Sequence, residues 1–207
     1  MAAEIKGLIE IRDREKVIRT LMSAFSDYPQ LAQAFPDKSR RLIVMEAALR
    51  FYAAFGMRYG GAYALDPACQ GVAILLPSQK RKGSALKYFF AGSYSSQYKR
   101  AVSRMTEEEH RIRTELFAEI SQMETEIKFP PKYLYISYLG VRPEYQGQGN
   151  GRMLMNRLVE YGEKKELPIV LITSEPKEVP FYQSMGFKMM GITSSKKFQF
   201  INIYLIK

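Results

Sequence analysis

The chain contains one cysteine, one histidine and no tryptophan among its 207 residues. With Cys69 alone, no intramolecular disulfide can form, which is consistent with a reducing, cytoplasmic location. With His110 alone, there is no Cys/His spacing for zinc, and we expect no metal site. No apolar run reaches the roughly 18 residues of a membrane-spanning helix, and residues 1–8 lack the pattern of a secretory signal. We therefore predict a cytoplasmic protein that does not act at a membrane.

Negative charge is also scarce, since 31 Lys and Arg residues face 21 Asp and Glu residues and leave a net charge of +10. An excess of this kind suggests either a surface that binds nucleic acid or a membrane, or a basic soluble protein with an anionic ligand. The basic residues stand in short, separate clusters: Arg40-Arg41, Lys80-Arg81-Lys82, Lys164-Lys165 and Lys196-Lys197. We favour the anionic ligand, and a nucleic-acid-binding domain remains an alternative.

Hydrophobic residues make up 46% of the chain, which is enough for a core, and the length suggests one domain over residues 1–207. Periodicity predicts helices over 14–25, 40–56, 84–127, 149–165 and 180–185. It predicts strands over 62–65, 71–76, 133–141, 169–173, 187–192 and 198–205. This order indicates an α/β fold, with residues 84–128 as a helical insertion before the central strand.

Three glycines in five residues, Gly147, Gly149 and Gly151, lie between the predicted central strand and the next helix. Such a turn exposes backbone N–H groups at a helix N-terminus, where they can hold phosphate oxygens. A P-loop would need Gly-Lys-Ser/Thr, whereas Gly151 is followed by Arg152 and Met153. The glycine spacing also differs from the dinucleotide-binding fingerprint. The turn therefore indicates a phosphate-bearing ligand, with an ordinary glycine-rich turn as the alternative.

Two motifs together resemble the signatures of the GNAT superfamily of N-acetyltransferases. The first is Gln146-x-x-Gly149-x-Gly151 after a strand that ends in Val141. The second is the segment 179–187, a predicted short helix with Tyr182 that is followed by Gly186-Phe187. One short strand separates the two motifs. The resemblance is close over residues 133–187 and coarse over residues 1–130.

The resemblance implies a fold and a ligand. The fold would be a mixed, mostly antiparallel sheet of about six or seven strands flanked by helices, with strands 133–141 and 169–173 as a parallel pair. The ligand would be acetyl-CoA, which would enter the gap between those two strands. Its pyrophosphate would bind N–H groups of the glycine turn, and its pantetheine arm would bind the end of the strand. The implied contact residues are Leu139, Gly140, Val141, Gln146, Gly147, Gln148, Gly149, Asn150, Gly151 and Arg152.

Further details follow from the same resemblance. A main-chain N–H of Leu139 or Val141 would polarise the thioester carbonyl. Gly140 would form a bulge that separates its strand from the next. The side chain of Arg152 or Arg142 would add a phosphate contact, unless these arginines are solvated surface charges.

Tyr182 is the side chain that the resemblance assigns to catalysis, as the acid that protonates the leaving thiolate. The alternative is a buried tyrosine that anchors its helix to the core. No general base is identified: Glu107, Glu108, Glu109 and His110 lie on a charged helix, for which a solvated face is the simpler interpretation. The chain departs from the family pattern at Glu175, where many members have an asparagine that contacts the CoA arm.

The predicted function is transfer of an acetyl group from acetyl-CoA to a primary amine by direct attack in a ternary complex. An acyl-enzyme on Cys69 is discounted because the residue lies near a turn with no basic partner in sequence. The main alternative is a CoA-binding regulatory protein of the same fold. The aromatic stretch 88–98 would line an acceptor pocket or belong to the core. The acceptor and the oligomeric state are not determined by the sequence.

Overall fold

A computed structural model describes residues 3–207, which form a seven-stranded sheet with helices on both faces. The strands are β1 (Ile9–Glu10), β2 (Gly61–Ala64), β3 (Gly71–Pro77), β4 (Leu134–Val141), β5 (Ile169–Thr173), β6 (Lys188–Ser194) and β7 (Ile201–Ile206). The helices are α1 (Arg14–Ala24), α2 (Pro29–Ala34), α3 (Lys38–Tyr59), α4 (Ser78–Arg81), α5 (Ala85–Phe90), α6 (Ser96–Val102), α7 (Glu107–Glu124), α8 (Asn150–Lys164) and α9 (Val179–Gln183).

The strand order across the sheet is β1-β2-β3-β4-β5-β7-β6. Only β4 and β5 run parallel, and α8 connects them, while the other neighbouring pairs are antiparallel. The predicted α/β class, the mostly antiparallel sheet and the parallel pair are therefore confirmed.

Local sequence signals account for most helix boundaries. The Asp13 carboxylate accepts hydrogen bonds from two N–H groups at the start of α1, and Asp37 does the same for α3. Thr106 and Glu109 form a capping box at the start of α7. The predicted helical block 84–127 is divided into α5, α6 and α7, because Gly92 adopts a positive φ of 70° after α5 and new caps start the later helices. The short elements α2 and β1 were not predicted.

The core has a layer on each side of the sheet. Apolar residues of α8, such as Leu154 and Leu158, pack against one face together with α9. Residues of α1 and α3, such as Leu21 and Met45, pack against the other face. Helices α6 and α7 add a further cluster against α3. Within the described part of the chain, no helix is both long and apolar enough to cross a bilayer.

Strands β4 and β5 diverge after a short paired region. They pair only from Leu134 to Ile136 on β4, although β4 continues to Val141. A register shift in the pairing of β3 with β4 leaves Ser137 as the extra residue of a bulge. A gap therefore opens between β4 and β5 beyond Ile136.

The prediction of a bulge at Gly140 is wrong, since Gly140 pairs in register with Val72. A Cβ atom at Gly140 would lie 2.8 Å from the Cβ of Ala24 and 3.1 Å from the ring of Phe25. The glycine therefore lets α1 approach β4 closely, and this helix contact is not visible in the local sequence.

Candidate active site

The edge of β4 beyond Ile136 provides backbone groups that no neighbouring strand uses. Arg142 donates its N–H to the carbonyl of Gln70 on the β3 side. Because N–H groups of a strand alternate between its two sides, Leu139 and Val141 direct theirs into the gap. Both residues predicted to present an N–H to the thioester therefore lie on the open edge of the strand.

The glycine turn leads from β4 into α8. Gly147 and Gly149 have positive φ angles of 74° and 83°, a conformation that glycine adopts without strain. No heavy atom lies within 4 Å of a Cβ built at either position, so the space above the turn is open. Gly151 is helical, and a Cβ there would lie 3.8 Å from Phe181 and from Val141, an ordinary contact.

The first turn of α8 has free N–H groups and no competing negative charge. Gly149 precedes the helix without a side-chain cap, and the first turn contains no acidic residue. The first N–H that is bonded within the helix is that of Met153, which donates to the Gly149 carbonyl at 2.9 Å. The N–H groups of Asn150, Gly151 and Arg152 are thus available to an anion.

Three side chains of the turn stabilise its shape rather than face the ligand. Gln146 donates to the carbonyl of Val141 at 2.8 Å, Gln148 to that of Glu144 at 3.1 Å, and Asn150 to that of Tyr145 at 3.0 Å. The predicted contacts at Gln148 and Asn150 consequently concern their backbone N–H groups. The backbone N–H of Gln146 already donates to the Pro143 carbonyl at 3.2 Å and is not available to a ligand.

The two candidate arginines differ in their surroundings. Arg142 donates to the Thr20 hydroxyl and to the Ala68 carbonyl, and it ties the end of β4 to neighbouring segments. Arg152 lies on the first turn of α8, donates to the Ser184 hydroxyl at 2.9 Å and is exposed. Of the two side chains, Arg152 is therefore better situated to meet a phosphate.

Tyr182 lies on α9, and its side chain is buried with 7% of its surface exposed. Its ring packs edge-on against Phe181 and Phe187. Burial raises the pKa of the Tyr182 phenol well above its ordinary value, and the neighbouring Glu178 and Tyr28 raise it further. The phenol therefore keeps its proton over the physiological pH range, as a proton donor must.

A cavity of about 1270 Å³ extends from the gap between β4 and β5 towards α3, α5 and α7. Ser137, Leu139, Glu178 and Tyr182 line it at the gap. Further lining residues include six rings that we call the aromatic wall: Tyr52, Phe55, Tyr88, Phe117, Phe129 and Tyr135. The cavity thus joins the open strand edge to a chamber rich in aromatic side chains.

Two rings of the aromatic wall contact a half-buried ion pair. Arg81 donates to Glu124 at 2.6 Å and lies over the rings of Tyr135 and Phe129, at 4.0 and 4.9 Å from their centroids. Burial raises the pKa of the Glu124 carboxyl, and the contact with Arg81 opposes this rise. The ion pair leaves no net charge in this part of the cavity.

Glu178 is a cavity-lining residue that the sequence did not single out. Thr173, the last residue of β5, donates its hydroxyl to Glu178 Oε2 at 2.7 Å. Burial raises the pKa of the Glu178 carboxyl above its ordinary value. A signal existed, because Glu178 lies four residues before Tyr182, at a spacing that brings two helical side chains together.

The other candidate bases lie outside the cavity. Glu109 is held by Arg40 at 2.6 Å, Glu108 is paired with Arg111, and neither residue lines the cavity, nor do Glu107 and His110. Glu175 pairs with Lys177 at 2.5 Å.

The lone cysteine and the aromatic stretch are also accounted for. Cys69 is buried away from the cavity, and burial raises the pKa of its thiol. Of the predicted aromatic stretch, Tyr88 lines the cavity, whereas Phe89 and Phe90 are exposed. Over residues 3–207, no group of three or more His, Cys, Asp and Glu residues could hold a metal ion.

Comparison with known proteins identifies the family. The model of the family described as "Acetyltransferase (GNAT) domain" matches residues 96–203, which is more than half of the chain. Among curated proteins, the N-alpha-acetyltransferase RimI of Mycobacterium tuberculosis is 30% identical over 63 residues, which are 30% of this chain and 40% of RimI. The chain therefore matches less than half the length of that relative.

Solved acetyltransferase structures share the fold of this chain. The structure described as "histone acetyltransferase HPA2 and related acetyltransferase" from Corynebacterium glutamicum aligns over 97% of this chain and 94% of its own, with a TM-score of 0.58 and 15% identity. Arylalkylamine N-acetyltransferase 2 from Aedes aegypti aligns over 97% of both chains, with a TM-score of 0.61 and 11% identity. At these identities the likeness concerns the fold alone. With the family match spanning most of the second half of the molecule, the chain belongs to the GNAT superfamily of acetyltransferases.

Proposed function

We propose that the protein transfers an acetyl group from acetyl-CoA to a primary amine by direct attack within a ternary complex. The observation that carries the proposal is that the cavity beside Tyr182, the unpaired edge of β4 and the free N-terminus of α8 follow one another along the chain from β4 into α8. An anion-binding turn, a strand edge and a buried acid are the parts that acetyl transfer from a phosphate-bearing thioester requires.

The residues fit acetyl-CoA on two grounds. The open space above Gly147 and Gly149 and the acid-free first turn of α8 suit a pyrophosphate. The N–H groups of Leu139 and Val141 suit the amide groups of a pantetheine arm, which can bind as an extra strand. Acetyl-CoA would supply the activated acetyl thioester.

The roles of this chain follow from these positions. The N–H groups at the start of α8 hold the pyrophosphate, and Leu139 or Val141 donates an N–H to the carbonyl oxygen as negative charge develops there. Tyr182 donates its proton to the departing sulfur. The cavity holds the amine close to the thioester, and this positioning supplies much of the rate.

The test is an initial-rate study with acetyl-CoA and a panel of primary amines, in which mass spectrometry identifies the acetylated product. We expect intersecting double-reciprocal lines when both substrates are varied, because no acyl-enzyme forms. The variant Cys69→Ser should retain turnover, because Cys69 is buried and does not line the cavity.

Parallel lines together with an inactive Cys69→Ser variant would contradict direct attack. Binding of acetyl-CoA without transfer to any amine would favour the regulatory alternative.

A further inference from the structure

The charged side chains that line the cavity differ in whether an opposite charge lies beside them. Four charged side chains border the cavity: Arg81, Lys82, Glu124 and Glu178. Arg81 and Glu124 neutralise each other at 2.6 Å, and Lys82 is exposed to solvent. Glu178 has no cationic partner among the described residues, since the nearby Lys177 pairs with Glu175. A half-buried carboxylate with no cation facing it is costly unless a ligand compensates it.

A fixed chain of hydrogen bonds orients this carboxylate. The N–H of Ser174 donates to the Tyr28 oxygen at 2.7 Å, and the Tyr28 hydroxyl donates to Thr173 at 3.4 Å. The Thr173 hydroxyl then donates to Glu178 Oε2 at 2.7 Å. Every donor points towards the carboxylate, and Oε1 remains free for a ligand that can donate.

Glu178 and Tyr182 act on the same space. Both side chains line the cavity where β4 and β5 diverge, and they are four residues apart on consecutive helical turns. The negative charge of Glu178 is among the causes that raise the pKa of the Tyr182 phenol, which reflects their closeness. A hydrogen-bond acceptor and a proton donor therefore lie on the same side of the reaction space.

The rest of the chamber has a different character. The aromatic wall presents six rings, and the Arg81–Glu124 pair adds no net charge. A substrate with one ammonium group beside Glu178 would find ring-lined space for its remaining atoms. A second cation in the substrate would find no unpaired carboxylate there.

We propose that Glu178 binds the ammonium group of the acceptor and removes its proton, and that the acceptor is a primary amine joined to an aromatic group. This inference rests on the proposed acetyl transfer. Glu178 is then a catalytic residue, because its carboxylate contacts the reacting nitrogen.

Protons and electrons balance in this scheme. Glu178 takes one proton from the ammonium, and the nitrogen lone pair forms a bond to the acetyl carbon. The carbon–sulfur bond breaks, its electron pair goes to sulfur, and Tyr182 protonates the sulfur. The second proton lost by the nitrogen restores the Tyr182 phenol, and Glu178 releases its proton to solvent.

The expected pH dependence follows from the groups around Glu178. Tyr28 faces it across the Thr173 hydroxyl, Tyr182 faces it from α9, and Glu175 and Lys177 lie beside it on its own turn. The tyrosines stay neutral near pH 7, since the pKa of Tyr28 is raised to about 12 and that of Tyr182 is also raised. Loss of activity on acidification should therefore report protonation of Glu178.

The experiment compares the wild-type protein with Glu178→Gln and with a control, Glu160→Gln, which removes an exposed carboxylate on α8. The probe acceptor is 2-phenylethylamine, and spermidine is the comparison amine. Acetyl-CoA affinity is measured by calorimetry, and kcat/KM is measured from about pH 5 to about pH 10.

Glu178→Gln should bind acetyl-CoA as the wild type does but lose kcat/KM by about 100-fold or more near pH 7. The deficit should shrink towards pH 10, because a growing fraction of the amine is then neutral and needs no base. A merely structural role would lower activity equally at every pH. Glu160→Gln should match the wild type, and 2-phenylethylamine should exceed spermidine in kcat/KM.

Three results would overturn the inference: unchanged activity of Glu178→Gln near neutral pH, a deficit that is the same at every pH, or a preference for spermidine. Wild-type protein that binds acetyl-CoA but acetylates neither amine nor any other in the panel would instead overturn the proposed function itself.

Discussion

At the residue scale, Tyr182 illustrates how burial suits a side chain to a proton-transfer role. Its ring is anchored by Phe181 and Phe187, while its phenol borders the cavity. Of the two interpretations that the sequence left open, a core anchor and an acid, the structure shows the core anchor. The assignment as the acid stays a prediction.

Tyr182→Phe should lower kcat by about 100-fold or more, because a positioned acid typically contributes that much. Its melting temperature and acetyl-CoA affinity should stay near the wild-type values. The phenylalanine keeps the ring, and the Tyr182 hydroxyl has no hydrogen bond to a described residue that the substitution would remove. In the wild type, the raised pKa means that the alkaline loss of kcat should lie above the ordinary tyrosine value of about 10. An active Tyr182→Phe variant would remove the phenol from the mechanism.

At the scale of elements, the start of α8 depends on backbone conformation more than on side chains. Gly149 needs a left-handed conformation, whereas Gly151 is helical and has room for a methyl group. The two glycines look equivalent in the motif, and the structure separates their roles.

Gly149→Ala should destabilise the protein by about 1–2 kcal/mol, because an L-residue is strained at positive φ. The melting temperature should fall by about 2–8 °C, and acetyl-CoA affinity should fall with it as the turn distorts. Gly151→Ala is the matched comparison: its melting temperature should not fall, and its affinity should change less. Thermal unfolding and calorimetry measure both, and equal losses in the two variants would contradict the distinction.

At the scale of the whole molecule, the net charge of +10 has two possible uses. It could form a nucleic-acid-binding surface, or it could accompany the proposed anion site at the start of α8. A nucleic-acid-binding protein would bind through many scattered charges, and its affinity would fall steeply with salt. A site built from backbone N–H groups at one helix start is local and depends less on the distribution of lysines and arginines.

Acetyl-CoA at 100 times its dissociation constant should stabilise the protein by about 2.7 kcal/mol and raise the melting temperature by about 5–10 °C. The shift should persist at a higher salt concentration once the ligand is again at that excess. Scanning calorimetry at two salt concentrations checks this. No shift in a folded sample, combined with salt-sensitive binding to DNA or RNA, would favour the nucleic-acid alternative.

Local sequence patterns determined much of the fold. Asp13 and Asp37 start their helices because a carboxylate near free N–H groups acts within one turn. The strand Ile169–Thr173 was predicted with its observed ends because a short, wholly apolar run is typical of a buried strand. The glycine turn and the Tyr182 segment could be recognised in the sequence because each is a contiguous motif.

Contacts between distant segments were decided only by the tertiary structure. The sequence could not place the bulge at Ser137 rather than Gly140, because Gly140 is needed for a helix more than a hundred residues earlier in the chain. The spacing of Glu178 from Tyr182 is visible in the sequence, but the surroundings of Glu178 come from Thr173 and Tyr28 and from a cavity bounded by several helices. The sequence by itself determined the family and the position of the glycine turn, because these depend on neighbours in the chain. The acceptor side was decided by packing, because burial and charge there arise from residues that only folding brings together.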